Sequence, residues 1–399
     1  MPRRISIMPK PSMFRVIFAC ATLLLVVHTL GRFIYTPLMP WLIKDNLFSL
    51  QQGSIIVTWN YLGYLLGAIA AIYWSSLSHI QRILPWAITI SVLSTLLQTQ
   101  ADNTTKLTVL RLINGITNGL VFVQAPSLVL EWLSHHKRPH LSGLVYLGVS
   151  IGLILSSLLV FLTSSFLNGA ERWWPAAIIA IPLASWGYIQ LSRIDIQSIK
   201  KGDTNKLIKP SQTPLIDYAS APLFLSYAGA GLGYILPMTY LPTLASTGLS
   251  EHSLLTNGSW LILALATLPS PWIWNKAGNY LGDVQALRLN YLVQFLGVIA
   301  VLYLPLPIGL TVCALLVGNT FLGTVLLTQR LARTLHPHQA PRLSAALVAL
   351  YSLTQLVGPW ITSLWLKNNG SLLLAFNLSA ASLFWGLITS LLITQKTSS

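Results

Sequence analysis

Long apolar stretches alternate along the chain with short polar, charged or proline-rich breaks, and each stretch is close to the roughly 20 residues that a helix needs to cross a bilayer. Twelve such stretches are delimited, beginning near Phe14, Gln52, Arg82, Lys106, Pro139, Arg172, Asp217, Ser253, Leu287, Pro307, Arg342 and Ser371. The division between the ninth and tenth rests on Leu304 to Pro307; without it the count is eleven. The longest polar stretch, Arg193 to Asp217, follows the sixth span and divides the chain six plus six. The expected organisation is a cytoplasmic N-terminus (1–13), a six-helix bundle (14–192), a cytoplasmic linker (193–216), a second bundle (217–394) and a cytoplasmic C-terminus (395–399).

Charge sets the orientation. Eighteen of the 24 Lys and Arg fall on one side: Arg3, Arg4, Lys10, Arg15, Arg82, Lys137, Arg138, Arg193, Lys200, Lys201, Lys206, Lys209, Lys276, Arg288, Arg330, Arg333, Arg342 and Lys396. Lys44, Lys106, Arg172 and Lys367 fall on the other. Positive charge is retained in the cytoplasm, so both termini are expected there. With 54% hydrophobic residues and 8% charged against about 25% in soluble domains, the composition excludes an ordinary cytosolic enzyme. The net charge of +15 then reads as topology, and no nucleic acid is expected as a partner. Cys20 and Cys313 each lie inside an apolar run and suggest neither a disulfide framework nor a metal cluster. The first apolar run follows basic residues as in a signal peptide, but no small-residue cleavage site follows Leu30, so it is read as the first span.

The halves repeat at an offset of 202 residues. LGRFIYTPLMPWL (Leu30 to Leu42) lies over LGYILPMTYLPTL (Leu232 to Leu244), and HLSG (His140 to Gly143) lies over RLSA (Arg342 to Ala345). Parallel repeats of six spans around a central basic loop are a layout of secondary transporters. The chain resembles the major facilitator superfamily over nearly its whole length. More narrowly, GRFIYTPLMP, NYLGYLLGA (Asn60 to Ala68), GAGLGYILPMTYLP (Gly229 to Pro242) and QLVGP (Gln355 to Pro359) are similar to the uncharacterised bacterial YbfB/YjiJ-type transporters. The resemblance implies an all-α membrane protein of twelve spans in two pseudo-symmetric halves, placed in the bacterial inner membrane and moving a small solute. It also implies a fourth-helix pattern, present as Leu107, Arg111, Asn114 and Gly115. Two superfamily features are missing: SLSHIQR (Ser76 to Arg82) has no acid, and Gly148 and Gly152 have no proline between them.

Arg32 and Arg111 lie inside spans, where an ionised side chain costs at least about 2.5 kcal/mol and needs water or a partner. The alternatives are snorkelling to the interface for Arg32 and hydrogen bonding to helix carbonyls for Arg111. The nine acids all fall at helix ends or in loops, with Glu131 nearest the membrane. Two intramembrane arginines without an intramembrane acid favour an anionic substrate, because guanidinium pairs carboxylate or phosphate in a bidentate way. Tyr35, Asn60, Tyr64, Arg111, Gln124, Tyr234, Trp260 and Gln355 complete the candidate substrate-binding set with Arg32; Tyr234 is the repeat equivalent of Arg32. His28, one turn before Arg32, is a candidate carrier of a coupling proton, or else a packing residue. Glu131 is expected to close a charge contact with Arg82 or Arg138, with proton coupling as the alternative. Gly358 and Pro359 are candidate bending points after Gln355.

Three readings follow. The first is alternating-access transport of a small organic anion, with a coupling proton or counter-ion as a possible co-substrate. The second is efflux of amphipathic drugs or metabolites. The third is a metal-dependent membrane enzyme using His135, His136 and His140, a segment read more simply as a basic loop. No nucleotide loop, nucleophile elbow or paired carboxylates occur in the sequence, and no cofactor is expected.

Overall fold

The computed structural model describes residues 12–74, 76–195, 214, 216–336 and 340–394. Arg3, Arg4, Lys10, Lys200, Lys201, Lys206, Lys209 and Lys396 lie outside them, as do most of the 193–216 linker, residues 395–399 and the His140 side chain.

The regular structure among the described residues is all helical. The first span is α1 (Met13–Leu24), a π-helical segment (Leu25–Phe33) and α2 (Tyr35–Lys44). Next come α3 (Leu50–Tyr73), α4 (Leu77–Leu97), α5 (Thr104–His135), α6 (Leu147–Thr163) and α7 (Trp174–Leu191). The second half contains α8 (Ala221–Gly248), α9 (Leu254–Thr267), α10 (Ser270–Leu281), α11 (Asp283–Tyr303), α12 (Leu306–Leu335), α13 (Ala340–Lys367) and α14 (Leu373–Ser390). Eleven helical stretches are long and apolar enough to cross a membrane, and α9 is a shorter apolar helix.

Helix starts follow local chemistry. Ser49 and Gln52 form a reciprocal capping box on α3, and the Asn103 side chain accepts from the Lys106 amide at the start of α5. The ninth and tenth stretches are separate helices, broken at Leu304–Pro305. The eighth differs from the expectation of one continuous span. It ends at Thr267 and restarts at Ser270, since Pro269 and Pro271 both lack the N–H that would continue the ladder. The Thr267 carbonyl instead accepts from the Ser150 hydroxyl of α6 at 3.3 Å.

Small residues set the closest packing. A Cβ on Gly63, Gly67, Gly115 or Gly119 would run into the facing backbone, so α3 and α5 touch main chain to main chain. Between the halves, α3 packs along α13, α6 along α9 and α2 against α8.

Candidate functional site

The site begins with the irregular backbone of the first span. From Leu25 to Phe33 the helix takes the wider π register, and Ile34 donates to the carbonyl of Thr29, five residues back, at 2.8 Å. Segments of this kind are rare and gather at functional positions. Gly152 of α6 makes room for it, because any larger side chain there would collide with Thr29. Where the register returns to α, Pro37 has no N–H to offer the preceding turn. Arg111 of α5 supplies donors instead: Nη1 to the Gly31 carbonyl at 2.5 Å and Nη2 to the Arg32 carbonyl at 2.9 Å. Its guanidinium also lies against Tyr35 at 4.9 Å and Trp173 at 5.7 Å from the ring centres. The Asn60 amide in turn donates to the Arg111 carbonyl at 2.7 Å.

Arg32 points the other way, into the seam between the halves. It is 2% exposed and therefore does not snorkel to an interface. Phe33, Tyr61 and Tyr64 surround its guanidinium, with ring centres 5.1, 4.5 and 4.2 Å away. One arm donates to the Gln355 side-chain oxygen of α13 at 2.5 Å, and Nε has no partner among the described residues. The ion pairs among the described residues are Lys44–Glu251, Lys106–Asp102, Arg172–Asp45, Arg330–Asp283 and His336–Asp217, so Arg32 meets no carboxylate. A buried cation capped by neutral groups, the Gln355 amide and the Tyr61 and Tyr64 hydroxyls, and with Nε idle can take up an anion.

Facing it, Tyr234 of α8 stacks on Phe321 at 5.6 Å and on Tyr351 at 5.2 Å, and Tyr351 stacks on Tyr227 at 4.3 Å. Tyr351 lies one turn before Gln355, so Tyr234 and Gln355 share the seam opposite Arg32. Further polar contacts join the halves: Tyr61 with Thr239 at 2.9 Å, and the Trp260 indole N–H with the Ser156 hydroxyl at 3.1 Å. Toward Lys44 the seam encloses a cavity of about 20 Å³ lined by Pro37, Trp41, Ser157, Pro242, Asn257 and Trp260. At that end Lys44 meets Glu251 at 2.8 Å across the seam.

The other candidates are dispersed. Tyr35 donates to the Gly53 carbonyl at 3.1 Å, and the Gln124 amide donates to the Trp74 carbonyl at the end of α3, at 3.3 Å. His28 lies beside Asn118, with Nδ1 3.1 Å from the amide oxygen. The expected contact of Glu131 with Arg82 or Arg138 is not formed: all three side chains are exposed, because Trp132 and Leu133 turn the inner face of α5 toward the bundle and Glu131 outward. α13 runs unbroken through Pro359, and Gly358 leaves room for Leu236 of α8. The His136 ring lies on Trp132 at 4.2 Å, and no group of three His, Cys, Asp or Glu suited to a metal occurs among the described residues. Asn118 and Ser156 were missed from sequence; Asn118 carried a signal, being two turns from Arg111 on the same face of α5.

A clamp at the Lys44 end of the first span holds the N-terminal half together. Arg172 donates through Nε and Nη2 to the two Asp45 oxygens at 2.5 and 3.1 Å, and the Gly169 amide adds a third bond at 2.7 Å. Burial pushes the Asp45 carboxyl up, but these bonds and the Arg172 charge outweigh it and hold it below the usual carboxylate value.

A sequence profile of the family described as uncharacterised MFS-type transporter YbfB matches residues 24–391. Solved structures of the same fold include the nucleoside transporter NupG, with a TM-score of 0.71, 12% identity, 96% of this chain and 99% of that chain covered. An aspartate-to-alanine mutant of NupG gives a TM-score of 0.71 at 13% identity, covering 95% of this chain and 100% of that one. No curated protein matches significantly by sequence.

Proposed function

The chain belongs to the family of the uncharacterised MFS-type transporter YbfB, a multi-pass membrane transporter and not an enzyme, and from that premise we propose that its cargo is a small organic anion held by Arg32. The observation that carries this reading is the Arg32 guanidinium: buried, boxed by three rings, without a carboxylate partner among the described residues, and with Nε unused. An anion arriving there replaces the Gln355 amide oxygen and engages both edges of the guanidinium. Arg111 serves as a positioning residue, its donors committed to the Gly31 and Arg32 carbonyls. The bundles 14–192 and 217–394 rock about the site, so that loading and release occur on opposite sides of the membrane. The basic asymmetry supports an inner-membrane placement with both termini cytoplasmic. NupG is a nucleoside transporter; here the Arg32 guanidinium, buried without a carboxylate partner among the described residues, argues for charged cargo.

The test is thermal stability of the purified protein against organic anions, sugars, nucleosides, amino acids and cationic drugs, for wild type and Arg32→Gln. A ligand at 100 times its Kd stabilises the folded state by about 2.7 kcal/mol. An anion that stabilises wild type and not Arg32→Gln supports the reading. Stabilisation by neutral or cationic compounds alone, equal in both proteins, overturns it. That result favours the second reading, efflux of amphipathic compounds, for which the Tyr227–Tyr351–Tyr234–Phe321 stack is the supporting observation.

A further inference from the structure

His28 is a buried titratable side chain to which anion binding alone gives no task. It lies on the same π-helical segment as Arg32 and is 6% exposed. Its ring stacks on Phe122 at 4.2 Å, meets Phe33 edge-on at 5.1 Å and tilts toward Tyr64 at 6.1 Å. Phe33 and Tyr64 are two of the three rings around the Arg32 guanidinium, so imidazole and guanidinium share walls. Nδ1 lies 3.1 Å from the Asn118 side-chain oxygen, while the Asn118 side-chain nitrogen has no partner among the described residues. In that hydrogen-bond arrangement Nδ1 carries the hydrogen and donates it, which leaves the lone pair on Nε2.

The titratable and charged groups around the ring are few. Arg32 sits on its own segment, Tyr64 faces it from α3, and Tyr146 lies behind Phe122, 6.3 Å from that ring. Cys20 belongs to the preceding α1, and Arg111 on α5 is turned to the Gly31 and Arg32 carbonyls. α4 and α7 also touch the segment and carry their titratable side chains (His79, Arg82, Tyr188) at their far ends. Arg32 is the charge that acts on His28. Among these groups, imidazole is the one that burial and the Arg32 charge keep neutral while the site is empty and that can take a proton once an anion cancels that charge.

Building on the anion reading, we propose that His28 is a proton site coupled to the anion site, taking up a proton at Nε2 on one side of the membrane and releasing it with the anion on the other. The sign follows from charge. Arg32 alone leaves the empty site with one positive charge; the anion cancels it and a proton on His28 restores it. Anion and proton therefore stabilise one another in the loaded site. The pair crosses without net charge, whereas a lone anion is weighted by the membrane potential by a factor of about 50 per 100 mV.

The test is calorimetric titration of the full-length purified protein with benzoate, gluconate and methylphosphonate, each in two buffers of different ionisation enthalpy at about pH 6. The expected result is proton uptake by wild type as an anion binds, with affinity falling by up to about tenfold per pH unit on the alkaline side. His28→Gln should bind the same anion with no proton uptake and a flat pH profile. Anion binding by wild type without proton uptake overturns the proposal, and so does uptake that persists in His28→Gln. Should His28→Gln fail to fold, the wild-type titration decides alone. If none of the three anions binds wild type, the anion reading itself falls and the proton site with it.

Discussion

Arg32 and Gln355 are 323 positions apart in sequence and joined by one hydrogen bond, from a guanidinium in the first span to an amide oxygen in α13. The cation of one half is thus capped by a neutral acceptor from the other. An amide can be displaced by an anion, whereas a carboxylate at the same place would hold the guanidinium permanently. Gln355→Glu should therefore act as a built-in ligand. It is expected to abolish anion-dependent stabilisation and transport while the protein still folds, and Gln355→Leu should retain both; thermal stability with and without anion distinguishes them.

Arg111 acts on the site through the backbone. Lysine keeps its charge but loses the planar fork that serves two carbonyls at once. Arg111→Lys is expected to raise KM for the transported anion by about tenfold, the equivalent of about 1.4 kcal/mol, with a smaller change in maximal rate. A role in packing alone would lower protein yield and leave KM where it is, so transport kinetics in proteoliposomes separate the two.

The Asp45–Arg172 clamp carries a pH signature. The Asp45 carboxyl is held low in the folded state, so its contribution is fully present above its unfolded value and is lost as pH falls through the folded one. Asp45→Asn should cost about 2 kcal/mol near neutral pH, since it leaves a largely buried guanidinium short of its partner. Melting curves of wild type and variant should converge below about pH 4, as the wild-type carboxyl takes up its proton. A constant gap across that range would count against the clamp.

Lys44 and Glu251 join the halves at one end of the seam, both well exposed, so the ion pair itself is a weak tie. Its position is the useful property. A Lys44→Cys, Glu251→Cys double variant, bridged by a bis-methanethiosulfonate cross-linker that replaces the length of the two lost side chains, should arrest transport and recover when reduced. Transport that continues through the cross-linked protein would mean the halves do not separate there.

Much of this was legible in sequence because its cause is local. Removing a residue from water has a cost or gain of its own, so hydropathy marks the spans, and Arg32 and Arg111 stand out as charges where charge is expensive. Proline has a local effect as well: Pro305 separates the ninth and tenth spans, and Pro269 with Pro271 breaks the eighth. Glycine spacing likewise indicated close helix contacts, which α3 and α5 make.

Which charge does what was decided elsewhere. Arg32 and Arg111 look equivalent as intramembrane cations, yet one faces the seam and the other is taken up by carbonyls of the π-helical segment. Nothing in the residues of the first span fixes that register alone; it depends on Gly152 giving space and on Arg111 reaching across from α5. Glu131 turns outward for a similar reason, since the packing of Trp132 and Leu133 sets the rotation of α5. Sequence by itself determined the spans, their order and the scarcity of charge within them, because these follow from the transfer cost of each residue. Only the tertiary structure determined the pairing of Arg32 with Gln355 and of His28 with Asn118, because a hydrogen bond depends on where separate helices bring their donors and acceptors together.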